Sequence, residues 1–234
     1  MRTGQPLRAR PLNLGASGNT AMAAATLHHW AEQAVAIPLA YAQRGQPLAL
    51  VALAGARHFE PLRHYPVRDM VDPLHGTRAY YHSHDAMARW GNAEPAEHGH
   101  FHLFWDGAHP GTHVHLAALS LDARGQPLRW FATNRWVTAG RWVDAAALVR
   151  RLPTFQLQVR GRLAPLARWL TAMVQLFADE LAALLHERDA ALAAASRGRS
   201  RRSVWADRRI EVLAHTDAAL APRLQRLGLL GPAG

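Results

Sequence analysis

Residues 98–121 read HGHFHLFWDGAHPGTHVHLAALSL. Imidazoles alternate with large apolar side chains at a spacing of two on either side of a turn-rich loop, DGAHPGT. Residues i and i+2 of a strand point to the same face. One strand, 98–105, therefore carries His98, His100, His102 and Phe104 on one face and Phe101, Leu103 and Trp105 on the other. The next, 113–121, groups His113 and His115 with Ala117 and Leu119. Both faces are apolar beyond the histidines, so the sheet is expected to be covered on both sides. Register then decides the chemistry. If the numbers of facing residues sum to an odd value, as with His102 opposite His115, all five imidazoles converge. An even sum splits them between faces.

Upstream, RAYYHSH (78–84) is a third strand by its aromatic content, and it adds His82 and His84. Seven of the fifteen histidines thus fall in three alternating clusters. Burying that many imidazoles without an ion leaves ring nitrogens unsatisfied and penalises protonation. The alternating pattern points to a metal centre on His82, His84, His98, His100, His102, His113 and His115. Seven ligands exceed one site, because zinc takes about four and a catalytic centre keeps a position open. Either three or four of them bind while the rest support, or the centre is dinuclear. Glu97 and Asp85 flank the clusters as candidate catalytic groups: a ligand completing an iron facial triad, a base, or a partner that orients a ligand imidazole. Tyr81 is placed as a pocket-lining residue. Asn134 and Arg135 are candidate anchors for an anionic substrate.

Around this core the chain reads as α+β, an antiparallel β-meander that can curl toward a barrel, with an N-terminal helix and C-terminal helices. Residues 1–18 lack periodicity and are expected to be a disordered tail. Asn19 or Thr20 caps a helix that Pro38 should end or kink. Residues 46–56 are an apolar run, helix or strand, and 57–76 a structured loop or weak strand. DARGQP (122–127) is a hairpin turn with Gly125 free to take positive φ, leading into a strand over 128–137. A short helix over 138–152 and a connector or edge strand over 153–161 follow. Leu163, Leu166, Leu170, Val174, Phe177, Leu181, Leu184 and Leu192 mark one long helix over 162–196. After a basic linker, SRGRSRR, Ile210, Leu213, Leu220, Leu224 and Leu227 mark a last helix. The expected division is a tail, a histidine-rich α+β domain over 19–160, and a helical segment over 161–234 packed on it.

Composition bounds the chemistry. With no cysteine, thiolate zinc sites, iron–sulfur clusters, disulfides and cysteine nucleophiles are excluded. The metal must be held by nitrogen and oxygen, as iron, copper or zinc. The net charge is +10, and every one of the 27 basic residues is Arg. That uniformity reads as genomic base composition, in a bacterial protein, more than as a nucleic-acid footprint, so no specific nucleic-acid partner is expected. No apolar run is long enough to cross a membrane and no secretory signal is visible, so the expected setting is cytoplasmic. P-loop, nucleophile-elbow and dinucleotide motifs are missing from the sequence. A small-molecule substrate remains open, and oligomeric state is undetermined.

RHFEPLRHYP, YYHSHD, EHGHFH and TNRWVTAGRW, in that order, resemble an uncharacterised bacterial family known as a domain of unknown function. The likeness covers about residues 45–150 and implies no activity or catalytic residues. The His-x-His spacing is also similar to the cupin metal motif, but the sequence has too many histidines and lacks the cupin glycine framework. The leading expectation is a metal-dependent enzyme that activates dioxygen with iron or copper, or water with zinc. A non-catalytic metal-binding protein for delivery, storage or sensing is the alternative. An Arg-rich interaction protein with structural histidines is a third reading.

Overall fold

Alternation becomes a six-stranded antiparallel sheet. Its strands are β1 (Tyr65–Asp72), β2 (Thr77–His82), β3 (Gly99–Trp105), β4 (Val114–Leu121), β5 (Pro127–Thr133) and β6 (Val212–Asp217). They lie in the order β1-β2-β3-β4-β5-β6, so the sheet is a curled meander with β1 and β6 at its edges. The helices are α1 (Ala16–Ala42), α2 (Leu48–Ala52), α3 (Arg135–Thr138), α4 (Ala145–Arg151), α5 (Ala164–Leu176), α6 (Ala178–Ala195), α7 (Arg201–Trp205) and α8 (Leu220–Arg226). The computed structural model describes residues 16–83, 89–92, 96–107, 109 and 111–231, with side chains from residue 24 onward. The fold is α+β, as the sequence implies.

One sheet face is the hydrophobic core. Ala79 and Tyr81 of β2, Phe101, Leu103 and Trp105 of β3, Leu119 of β4 and Trp130 and Ala132 of β5 are buried there. Leu166, Leu170, Met173 and Val174 of α5 and Leu181, Leu184 and Leu185 of α6 belong to the same cluster. Each large apolar side chain among these, taken wholly out of water, contributes about 1.5–3 kcal/mol, so this face anchors the sheet to the helices. The β4–β5 turn is built as its residues suggest. Asp122 Oδ1 accepts from the amides of Arg124 and Gln126, both at 2.8 Å, and Gly125 has φ +82°. A Cβ at Gly125 would sit 2.6 Å from Leu48 Cβ, so the missing side chain also lets α2 dock on the turn.

Several elements differ from the reading of the sequence. Residues 57–76 contain β1, and 46–56 resolve into α2. The helix α1 already includes residues 16–18, and Pro38 does not end it. The expected strand over 128–137 stops at Thr133, because Asn134 caps a helical turn: its side chain accepts from the Arg135 amide at 2.8 Å. The long helix breaks at Phe177, whose φ of −101° and ψ of 21° leave the helical range. Residues expected in a last helix form β6, leaving only α8 helical. The β5 edge explains this: Arg129 to Thr133 offer ladder groups, and residues 212–217 fill them. Cross-strand pairing outcompetes a short run of helical periodicity.

Candidate metal centre

The histidine face is the sheet's other side. In the β2–β3 pairing His82 lies opposite His100 and Tyr80 opposite His102. Two adjacent strands therefore bring three imidazoles together at one end of the sheet. One ring nitrogen from each of His82, His100 and His102 lies within 4.8 Å of the others, and this cluster could hold a metal ion. The side chains are taken out of water: His100 is 0%, His102 1% and His82 8% exposed.

Between β3 and β4 the register is mixed. His100 faces Ser120 and His102 faces Ala118, both even sums, a register that by itself sends His113 and His115 to the opposite face. A one-residue bulge intervenes. Leu103 pairs with Ala117, but Phe104 pairs with His115, so Leu116 is the extra residue. A bulge of this kind reverses the alternation of its strand. It returns His115 to the histidine face, where its Nε2 lies 2.9 Å from His102 Nδ1.

The hydrogen bonds assign protons. Glu97 Oε1 sits 2.8 Å from His100 Nδ1. An ionised carboxylate only accepts, so His100 Nδ1 carries the proton and donates. His100 Nε2 is then a lone pair, facing His82 Nε2 at 2.9 Å. On His102, Nδ1 is engaged with His115 while Nε2 is buried without a hydrogen-bond partner. A stranded N–H is rarer than a bare acceptor, so the favoured arrangement has Nδ1–H donating to His115 and leaves Nε2 as a lone pair. Thr133 Oγ1 holds the far nitrogen of His115 at 3.3 Å. Metal-bound imidazoles characteristically have the opposite nitrogen fixed this way.

Electrostatics favour neutral rings. Burial, reinforced by His100, His115, His82 and Arg89, holds the His102 pKa well below the usual histidine value. Burial, with Arg188 second, lowers His115 to about 3. The His115 ring is enclosed by protein, although the residue as a whole keeps some exposed surface. Neutral imidazole is the form that ligates metal. Burial, helped by the Asp69 charge, raises the Tyr80 phenol and keeps it protonated beside His102, ring centroids 5.3 Å apart.

Glu97 is itself locked. Arg89 Nη1 donates to Oε1 at 2.9 Å and Trp90 Nε1 to Oε2 at 2.7 Å; the Arg89 and Glu97 side chains are each 1% exposed. Arg89 also pairs with Glu211 at 2.6 Å. This buried ion pair fixes the carboxylate behind His100. Arg89, Trp90, Glu211 and Thr133 went unnoticed in the sequence. Only Thr133 left a signal there, since alternation places it on the face of Phe131.

The other expected site residues are placed as follows. His98 lies just before β3 and turns to the core side, where Tyr81 Oη meets its Nδ1 at 2.8 Å and Phe59 stacks on it at 4.9 Å. Tyr81 is therefore a fully buried core residue. His113 shares the histidine face but donates from Nε2 to the Thr138 carbonyl at 2.7 Å. Asn134 is buried, and its Nδ2 donates to the carbonyls of Val204 at 2.8 Å and Ile210 at 3.1 Å. Arg135 is exposed, with Nε donating to the Gly140 carbonyl at 3.0 Å. His84 and Asp85 lie outside the described residues. Among the described residues no helix is long and apolar enough to cross a membrane.

A family model described as a domain of unknown function (DUF6969) matches residues 28–218. No curated protein and no solved structure matches the chain.

Proposed function

The chain belongs to this domain family, and from the histidine face we propose that it holds a divalent transition metal on His82, His100 and His102 as the centre of an enzyme. The carrying observation is the convergence of three buried imidazole nitrogens within 4.8 Å, with His102 Nε2 left without a partner. Nitrogens bound to one ion at about 2.0–2.1 Å lie roughly 3–3.4 Å apart for right-angled to tetrahedral coordination. The 2.9 Å between His82 Nε2 and His100 Nε2 is near that span. Three protein ligands leave a position open, which suits reaction chemistry more than storage.

When bound, iron or copper would supply dioxygen activation and zinc would supply an activated water. The chain's own residues prepare the centre. Glu97 orients His100, and Thr133 with His115 orients His102. Tyr80, Phe104 and Phe131 surround the rings and exclude water. Non-catalytic metal holding is the second reading, favoured by the near-complete burial of all three ligands.

The test is elemental analysis of protein purified without a His tag, followed by thermal denaturation with added iron, copper or zinc. The expected result is about one ion per chain and a melting temperature lowered by chelation. His102→Ala should lose the ion while the protein remains folded on its separate hydrophobic face. Absence of bound metal, with no metal raising the melting temperature at neutral pH, would overturn the proposal. Stoichiometric metal without oxygen consumption or hydrolysis across substrate panels would favour the second reading.

A further inference from the structure

Beside the histidine cluster, on the same sheet face, Arg129 of β5 is a cation with no ion-pair partner among the described residues. Its guanidinium makes no hydrogen bond and no ion pair among the described residues, and its Nη1 is buried without a partner. Its charge stacks on the Trp90 ring, 4.5 Å from the centroid. No carboxylate of the described residues lies within ion-pair distance of it. Asp217, its cross-strand neighbour, accepts from the Ala219 amide, and Glu211 pairs with Arg89. A half-buried charge with no ion-pair partner carries a desolvation cost that needs an explanation.

Arg129 lines a cavity of about 460 Å³ together with Trp90, Arg89, Val212, Leu213 and His215. That volume lies within the range of small-molecule sites, and the mixture of apolar walls with a few polar groups is their usual lining. The Trp90 wall is held on several sides. Trp90 is tied to Glu97 at 2.7 Å and packs edge-on against Phe131 and His215. Indole covers one guanidinium face, and a planar carboxylate meets a guanidinium along its edge, where it makes two parallel hydrogen bonds.

We propose that this cavity binds a small organic carboxylate, with Arg129 receiving the carboxylate and the β6 side chains receiving its apolar part. The site does not depend on the metal reading, since no histidine of the proposed centre lines it.

The experiment is calorimetric titration of the full chain with benzoate, and separately with inorganic phosphate, with a metal chelator present throughout. Wild type should bind benzoate saturably. Arg129→Met should weaken it at least about tenfold and leave the ligand-free melting temperature unchanged or higher, because a half-buried charge with no ion-pair partner has been removed. Arg129→Lys, which keeps charge but loses the fork, should fall between the two. Benzoate affinity equal in wild type and Arg129→Met overturns the proposal. So does the absence of saturable binding by wild type up to about 10 mM, or binding of phosphate but not benzoate.

Discussion

Replacing Glu97 with Ala separates a supporting carboxylate from a reacting one. The side chain accepts three hydrogen bonds, from Arg89 at 2.9 Å, His100 at 2.8 Å and Trp90 at 2.7 Å. Bonds to a charged group contribute about 1.5–3 kcal/mol each, yet they do not add freely. Breaking a buried ion pair typically costs about 3–5 kcal/mol because the other charge is stranded. Here Arg89 keeps Glu211, so the lower end, about 3 kcal/mol, is expected. At roughly 2–4 °C per kcal/mol for a chain of this size, the melting temperature should fall by about 6–12 °C. Losing the group that orients His100 should also weaken metal affinity about 10–100-fold. Glu97→Gln keeps the shape and should recover part of both losses. The assays are urea denaturation of chelated protein and competitive zinc titration. A Glu97→Ala variant that loses less than about 1 kcal/mol and binds zinc as wild type does would refute this account of the site.

Acid should destabilise the metal-free protein well above the carboxylate range. His102 and His115 have lowered folded-state values, so their contribution is complete above the unfolded value near 6.5 and is lost progressively on acidification, for His115 down to about 3. His115 alone should cost about 1–2 kcal/mol at roughly pH 5, allowing for its partial exposure, and urea midpoints of His115→Gln should show that much less pH dependence. Asn134→Ala removes a cap and two buried bonds to the carbonyls of Val204 and Ile210. It should destabilise by about 2–3 kcal/mol without changing zinc affinity, measured by the same two assays. Deleting Leu116 removes the bulge but keeps His115 opposite Phe104 on the histidine face, because Ala117 and His115 then alternate regularly. Retained zinc binding is expected, with a fall in stability of about 2–5 kcal/mol from losing the buried Leu116 side chain, and lost zinc binding would show that the bulge itself positions His115.

The sequence by itself determined the faces. Two-residue alternation in residues 78–84 and 98–105 is enough to place His82, His100 and His102 apart from Tyr81, Phe101 and Leu103, because side-chain direction in a strand is local geometry. The hairpin turn at Asp122 to Gln126 was legible for the same reason, as Asx bonding and positive φ are properties of a few neighbouring residues. Tertiary structure decided what alternation leaves open. Register is a relation between strands, so the pairing of His82 with His100 and the bulge at Leu116 had no signature in either strand alone. Strand β6 forms because β5 presents an unfilled edge, against the helical pattern of its own residues. Arg89, Trp90 and Glu97 carry no periodicity, and only the folded chain gathers them behind His100. His98 kept the spacing of a ligand and lost the role, because it precedes β3 and, although its amide still bonds the Leu121 carbonyl, Tyr81 and Phe59 hold its ring on the core side. Spacing specifies direction only while regular strand geometry continues.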